Sequence, residues 1–213
     1  MASPAPPLAP ARKGYHHGNL TEALVAAAVA LIEERGVEAL SVREVAKRAG
    51  VSPGAPFRHF ESKTALLTAV AEQAMDRFVA AVDQALGGWP ADDPIGALRA
   101  MGRAYLDWAT RNPVHFRIIS SRELIDFAGS ARLTGQNAAL QRTMQLWVER
   151  ARTRGELRAG LGTATVLLAS RAQVYGLARM WCDGHLREWH SGADPAAAIQ
   201  AGLDLFIDGL LQS

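Results

Sequence analysis

Between Arg43 and Lys63, five basic side chains (Arg43, Lys47, Arg48, Arg58 and Lys63) stand against two acids, Glu44 and Glu61, with His59 among them. That local balance of +3 belongs to a chain whose formal charge is +2, so the remainder nets −1. A small basic face on a near-neutral body is the charge distribution that meets phosphate. The same stretch holds Ser52, Pro53, Gly54, Ala55 and Pro56, and residues this small let backbone come close to a base edge. The chemistry on offer is nucleic-acid recognition, and other chemistries lack their residues. His115, His185 and His190 have no metal-ligand spacing among themselves or with Cys182. No nucleophile elbow, phosphate-binding glycine loop or catalytic carboxylate pair occurs. The expectation is no metal, no cofactor and no enzymatic activity.

The elements that must position these residues read as helices throughout, because nearly every periodic segment has the helical repeat. Asn19 with Glu22 reads as the capping start of a first helix that Gly36 ends, with Leu24, Ala28, Leu31 and Ile32 on its inward face. Ser41 with Glu44 opens a second, short helix stopped by Gly50; Val42, Val45, Ala46 and Ala49 form its buried side. Ser52 is placed to cap a third helix with Pro53 at its first position and Pro56 still within the first turn. Two short helices joined by a tight glycine turn form a helix-turn-helix, whose second helix lies across the major groove. A long helix follows over about Thr64 to Leu86, then helices at about Pro94 to Arg111, Pro113 to Phe127, Arg132 to Arg154, Thr163 to Trp189 and Pro195 to Leu211. The expected fold is all-α with about nine helices: an N-terminal arm over 1–14, a helix-turn-helix domain over 15–63, and a helical regulatory and dimerisation domain over 64–213 that begins with a connecting helix over 64–86.

At this point the residues carry a resemblance. Ser41-Val42-Arg43-Glu44-Val45-Ala46-Lys47-Arg48-Ala49-Gly50-Val51-Ser52, then Gly54, Phe57, His59-Phe60, Ser62-Lys63 and Leu66-Leu67 resemble the signature of the tetracycline-repressor (TetR) family. The match runs from about Tyr15 to Val70, and the lead-in Tyr15-His16-His17-Gly18-Asn19-Leu20 resembles a recurring subgroup. The resemblance implies a transcriptional regulator, expected to be a repressor, that binds a palindromic double-stranded DNA operator as a homodimer and responds to a small molecule. It implies that Arg43 reaches a base or phosphate, that Ser52, Pro53, Gly54 and Ala55 open the reading helix against base edges, that Phe57 and His59 lie at the groove wall, and that Arg58 and Lys63 serve phosphate. Phe57 departs from the family's usual tyrosine, which removes a phosphate hydrogen bond worth about 0.5–1.5 kcal/mol. Phe60 reads as core. Arg12 and Lys13 on the arm are candidates for the minor groove.

In the family the last two long helices make the dimer, and Ile199, Leu203, Phe206, Ile207 and Leu210 form an apolar stripe suited to that interface. The intervening helices are rich in large amphipathic residues: Tyr105, Trp108, His115, Phe116, Met144, Trp147, Tyr175, Met180 and Trp181 are candidates to line a pocket for an apolar or aromatic effector, against the alternative of plain core. The C-terminal part also resembles a sensor domain with a Trp, His and Gly pattern in its penultimate region; here Gly176 stands with Arg171 and Tyr175 at the other places. Cys182 reads as a buried thiol rather than a redox switch. One cysteine and no membrane-length apolar run make a cytoplasmic protein the expectation. Corepressor-dependent repression or activation stays open, as does a DNA-tethered enzyme or docking module.

Overall fold

A computed structural model describes residues 17–190, 192 and 194–212. The expectations for the arm, Arg12 and Lys13 included, and for Tyr15 and His16 lie outside them. The described residues form nine α-helices and one short 3-10 turn, with no strand beyond an isolated bridge between Leu157 and Leu211. The chain divides into two compact units, one ending at Glu61 and one starting at Ser62.

The first unit is built from α1 (His17–Arg35) and α2 (Val42–Arg48). α1 starts at His17, so Asn19 lies inside the helix instead of capping it. Leu24 and Ala28 are fully buried, as are Val45 and Ala46 of α2. Ser41 caps α2 by accepting the Glu44 N–H at 3.2 Å. Glu44 does not close the expected capping box; its carboxylate faces Arg35 of α1 at 3.5 Å. Gly50, at φ +70°, supplies the left-handed turn after α2, a conformation any Cβ would strain.

The expected third helix is not an α-helix. Residues 52–55 form a turn closed by the Ala55 N–H to the Ser52 carbonyl at 3.0 Å, followed by the 3-10 turn Pro56–Arg58. Two prolines three residues apart explain the correction. An α-helical ladder from Ser52 would need the residue-56 N–H, which proline lacks, so the chain closes i→i+3 bonds instead.

In the second unit α3 (Lys63–Leu86), α4 (Pro94–Arg111), α5 (Pro113–Ser120), α6 (Ala131–Thr153), α7 (Thr163–Cys182), α8 (Leu186–Trp189) and α9 (Pro195–Asp208) follow in order. α4 packs against α3, α5, α6, α7 and α9, and its buried residues Ala97, Gly102, Tyr105, Leu106, Trp108 and Ala109 suit a helix enclosed on most sides. Gly102 lets α9 approach: a Cβ there would lie 2.8 Å from a Leu203 methyl. On the outer side Arg99 binds Asp204 and Asp208, each at 2.7 Å, and Arg103 binds Asp204 at 2.8 Å. α3 is tied to α6 by Asp76, which accepts from Arg132 and Gln136, and by Glu72, which accepts from the N-cap hydroxyl of Ser130.

Two helices end earlier than their periodicity suggests. α5 stops at Ser120 because the Ser120 and Ser121 hydroxyls bond back to the Phe116 and Arg117 carbonyls, competing with the ladder ahead of a turn. α7 stops at Cys182, and Gly184 at φ +80° reverses the chain before the single turn of α8. No helix among the described residues is long and apolar enough to cross a membrane.

Candidate nucleic-acid interface and interior cavity

In the first unit the candidate DNA residues form one exposed ledge. Ser52, Pro53, Gly54, Phe57, Arg58 and His59 are exposed and Ala55 is half-buried, whereas Pro56 and Phe60 are buried. The two buried residues anchor the segment, and the residues between them are pushed outward. His59 is oriented by a 3.2 Å hydrogen bond between Nδ1 and the Thr21 hydroxyl of α1. Phe57 presents an apolar ring that is 48% exposed. Arg43 is exposed on α2.

Arg48 is different. Its guanidinium makes a two-pronged bond with Glu34 at 2.5 and 2.6 Å, which holds α2 to α1 and raises its own pKa while lowering that of Glu34. With Arg48 committed, Arg43, Lys47 and Arg58 supply the outward positive charge of this unit's basic stretch. Lys63 belongs to the second unit, as the first residue of α3, whose N-cap Ser62 accepts the Ala65 N–H at 3.0 Å.

The second unit holds a cavity of about 540 Å³ among α3, α4, α6, α7 and α9. Of the nine residues expected around a pocket, Tyr105, Trp108 and Met144 line it. Tyr105 and Trp108 form its aromatic wall with Phe78, whose ring centroid lies 5.1 and 5.2 Å from theirs. Phe116 is fully buried behind that wall, and Tyr175, Met180 and Trp181 pack against the same core. Trp147 is buried under the Arg150 guanidinium, 4.6 Å from the ring centre.

His115 is buried between helices, its Nε2 3.1 Å from Gln73 Oε1 and 3.4 Å from an Arg77 nitrogen. Burial, reinforced by the Arg77 charge, lowers its pKa to about 4, so the imidazole is neutral at pH 7. Cys182 is buried, and burial pushes its thiol pKa up, away from the reactive thiolate.

The apolar stripe of α9 needs correction. Ile199, Leu203 and Ile207 are 1, 2 and 5% exposed inside their own subunit, where no partner can touch them. Leu203, Phe206, Ile207 and Leu210 all line the cavity. The stripe is broad because α9 closes its own subunit's core. Among the apolar residues α9 turns outward, Ala197, Ala201 and Leu205 lie one turn apart, with Leu205 76% exposed. On α7, which packs against α9, Leu168 is 72% exposed and Ala172 is exposed near it.

Sequence reasoning also missed the polar part of the cavity wall: Ser120, Arg122, Asn137, Gln141, Gln145, Ser170 and Arg171. Arg171 had a signal, a charge in the middle of the largely apolar α7. Arg122 had none, because it follows α5 in an irregular segment.

Comparison with known proteins agrees with both units. Residues 24–70 match the family described as bacterial regulatory proteins, tetR family, and residues 98–206, just over half the chain, match the tetracyclin repressor-like C-terminal domain. A transcriptional activator of Mycolicibacterium smegmatis, FasR, is 33% identical over 102 residues, 48% of this chain and 46% of the relative. The regulator BetI of Yersinia pestis is 34% identical over 84 residues, 39% of this chain and 42% of the relative. The aligned part is thus less than half the length of each curated relative. A Rhodococcus structure described as a protein of unknown function has a TM-score of 0.74 at 29% identity, covering 94% of this chain and all of the other. With a match in each unit, one spanning half its length, the chain belongs to the TetR family of bacterial regulatory proteins.

Proposed function

We propose that the chain is a DNA-binding repressor that reads a palindromic operator as a homodimer and lets go when a small molecule fills the cavity of the second unit. The observation that carries this reading is the ledge Ser52–His59: small residues and one aromatic ring exposed together, with Arg43 and Arg58 open in the same unit. Small residues admit backbone to base edges, and the arginines hold phosphate. Lys63 adds a phosphate contact at the start of α3, where helix polarity favours anions. The dimer face is the outward side of α7 and α9, with Leu168, Ala172, Ala201 and Leu205 at its centre. A two-fold pair places two ledges at half-sites about 34–36 Å apart. The effector acts by binding the DNA-competent and DNA-released states with different affinity. The protein is cytoplasmic and performs no catalysis.

Selection from a random DNA pool with the full-length chain tests this. Enrichment of an inverted repeat, bound with an affinity that falls steeply with salt, is expected; recovery of no preferred sequence overturns the reading. Activation is the second reading, favoured by the FasR relative being an activator. In vitro transcription from the selected site separates the two: transcript falls for a repressor and rises for an activator.

A further inference from the structure

The charged residues on the cavity wall are Arg122 and Arg171; no acid lines it. Neither arginine makes an ion pair among the described residues, while Arg99, Arg103, Arg132 and Arg179 of the same unit each find a carboxylate. Both lie at the solvent-open rim, seated on aromatic faces. The Arg171 guanidinium carbon is 4.9 Å from the Tyr105 ring centre and 5.5 Å from that of Tyr175, and that of Arg122 is 3.4 Å from the centre of Phe127. Arg171 also interacts with the Tyr105 hydroxyl, but a guanidinium has five N–H donors and over a ring keeps others for a planar oxyanion. The two cations also feel each other: burial, then the Arg171 charge, depress the pKa of Arg122. Two like charges held at one opening without a counter-ion leave a place for a ligand's negative charge.

Behind the rim the wall changes character. Met75, Met101 and Met144, with Leu98 and Leu140, give an adaptable apolar interior whose volume of about 540 Å³ suits a small-molecule ligand. We infer that the effector is an amphipathic anion, its apolar body among the methionines and leucines and its single acidic head group, carboxylate or phosphate, held between Arg122 and Arg171. This rests on the ligand-relieved reading of the cavity and adds an acidic head group to the apolar or aromatic effector expected from the sequence.

Four probes sharing one chain test the head group: dodecanoate, dodecyl phosphate, dodecanol and dodecylamine, each titrated calorimetrically below its micellar concentration into the full-length protein. One site per chain is expected, with at least one of the two anions binding about tenfold or more tighter than the alcohol, and the amine weakest. Comparing dodecanoate with dodecyl phosphate tells which acid the rim prefers. In Arg122→Gln/Arg171→Gln the anion preference shrinks to about twofold or less while dodecanol binds as before, which also shows the cavity intact. Dodecanol binding as tightly as both anions, selectivity that survives in the double variant, or no binding by any probe overturns the inference. Operator affinity is measured separately. Selective anion binding that leaves operator affinity unchanged supports the head-group assignment and sinks ligand relief; release by dodecanol as readily as by the anions does the reverse.

Discussion

The first unit keeps its candidate residues on an exposed ledge, and the second keeps them around an interior cavity. Between Leu24 and Glu61 the large apolar side chains of α1 and α2 are buried, and the exposed groups that matter are a ring, a histidine and Arg58 on a ledge, with Arg43 on α2. Between Ser62 and Gln212 five long helices bury a larger set of residues, yet leave about 540 Å³ unfilled with two arginines on its wall. A surface that meets a polyanion of fixed shape needs rigidity and exposed charge. A site for a small molecule needs enclosure, which close-packed helices provide only where their large side chains stop short of one another. The difference shows in the arginines: Arg48 is spent on an ion pair that holds α1 to α2, whereas Arg122 and Arg171 rest on aromatic rings with no carboxylate partner among the described residues.

The largest effect expected from breaking this division is at the outward face of α9. Leu205→Glu places a charge in the proposed dimer face without touching the core, so light scattering should read a monomer and operator affinity should fall by about a hundredfold or more as the second half-site is lost. A dimer that survives the change moves the interface elsewhere.

Next comes the interior of the second unit. His115 has an ordinary pKa of 6.5 and a folded one of about 4. Above pH 6.5 it is neutral in both states and costs nothing. As pH falls from 6.5 toward 4 the unfolded chain takes up a proton that the folded chain refuses, so stability drops. His115→Gln should remove about 2–3 kcal/mol of the loss in unfolding free energy between pH 7 and pH 4.5, measured by urea titration. Equal pH dependence in both proteins would mean that His115 titrates normally.

On the ledge side, Arg43→Ala/Arg58→Ala should weaken operator binding by about 2 kcal/mol and lower the salt slope by about 2, with the melting temperature unchanged. Gly102→Ala probes the approach of α4 to α9: crowding of Leu203 should cost about 1–2 kcal/mol, less whatever alanine returns in helix propensity. The smallest effect is at Phe57→Tyr, where a hydroxyl on the exposed ring should tighten operator binding by about 1 kcal/mol if a phosphate is in reach.

How much of this was legible follows from how local each feature is. The ledge was readable because glycine and two prolines act on their own neighbours, although the effect of one was misjudged: Pro56 lacks the N–H that an α-helical ladder from Ser52 needs. The α9 stripe shows the opposite case. Its period announced a buried face correctly, but burial against the same chain and burial against a second copy leave the same pattern in a sequence. Likewise Tyr105, Phe116 and Trp181 look alike in composition, and only packing separates the one on the cavity wall from the two behind it.

By itself, then, the sequence determined an all-helical fold and the family the chain belongs to, because caps, turns and hydrophobic period are short-range matters of backbone geometry and burial. Tertiary structure decided what no spacing encodes: that Arg48 is committed to Glu34, that α9 faces inward with Leu203 and outward with Leu205, and that Arg122 and Arg171, 49 positions apart, meet the same cavity. Those outcomes depend on which distant helices pack together, and an arginine's role is set by whether a carboxylate happens to reach it.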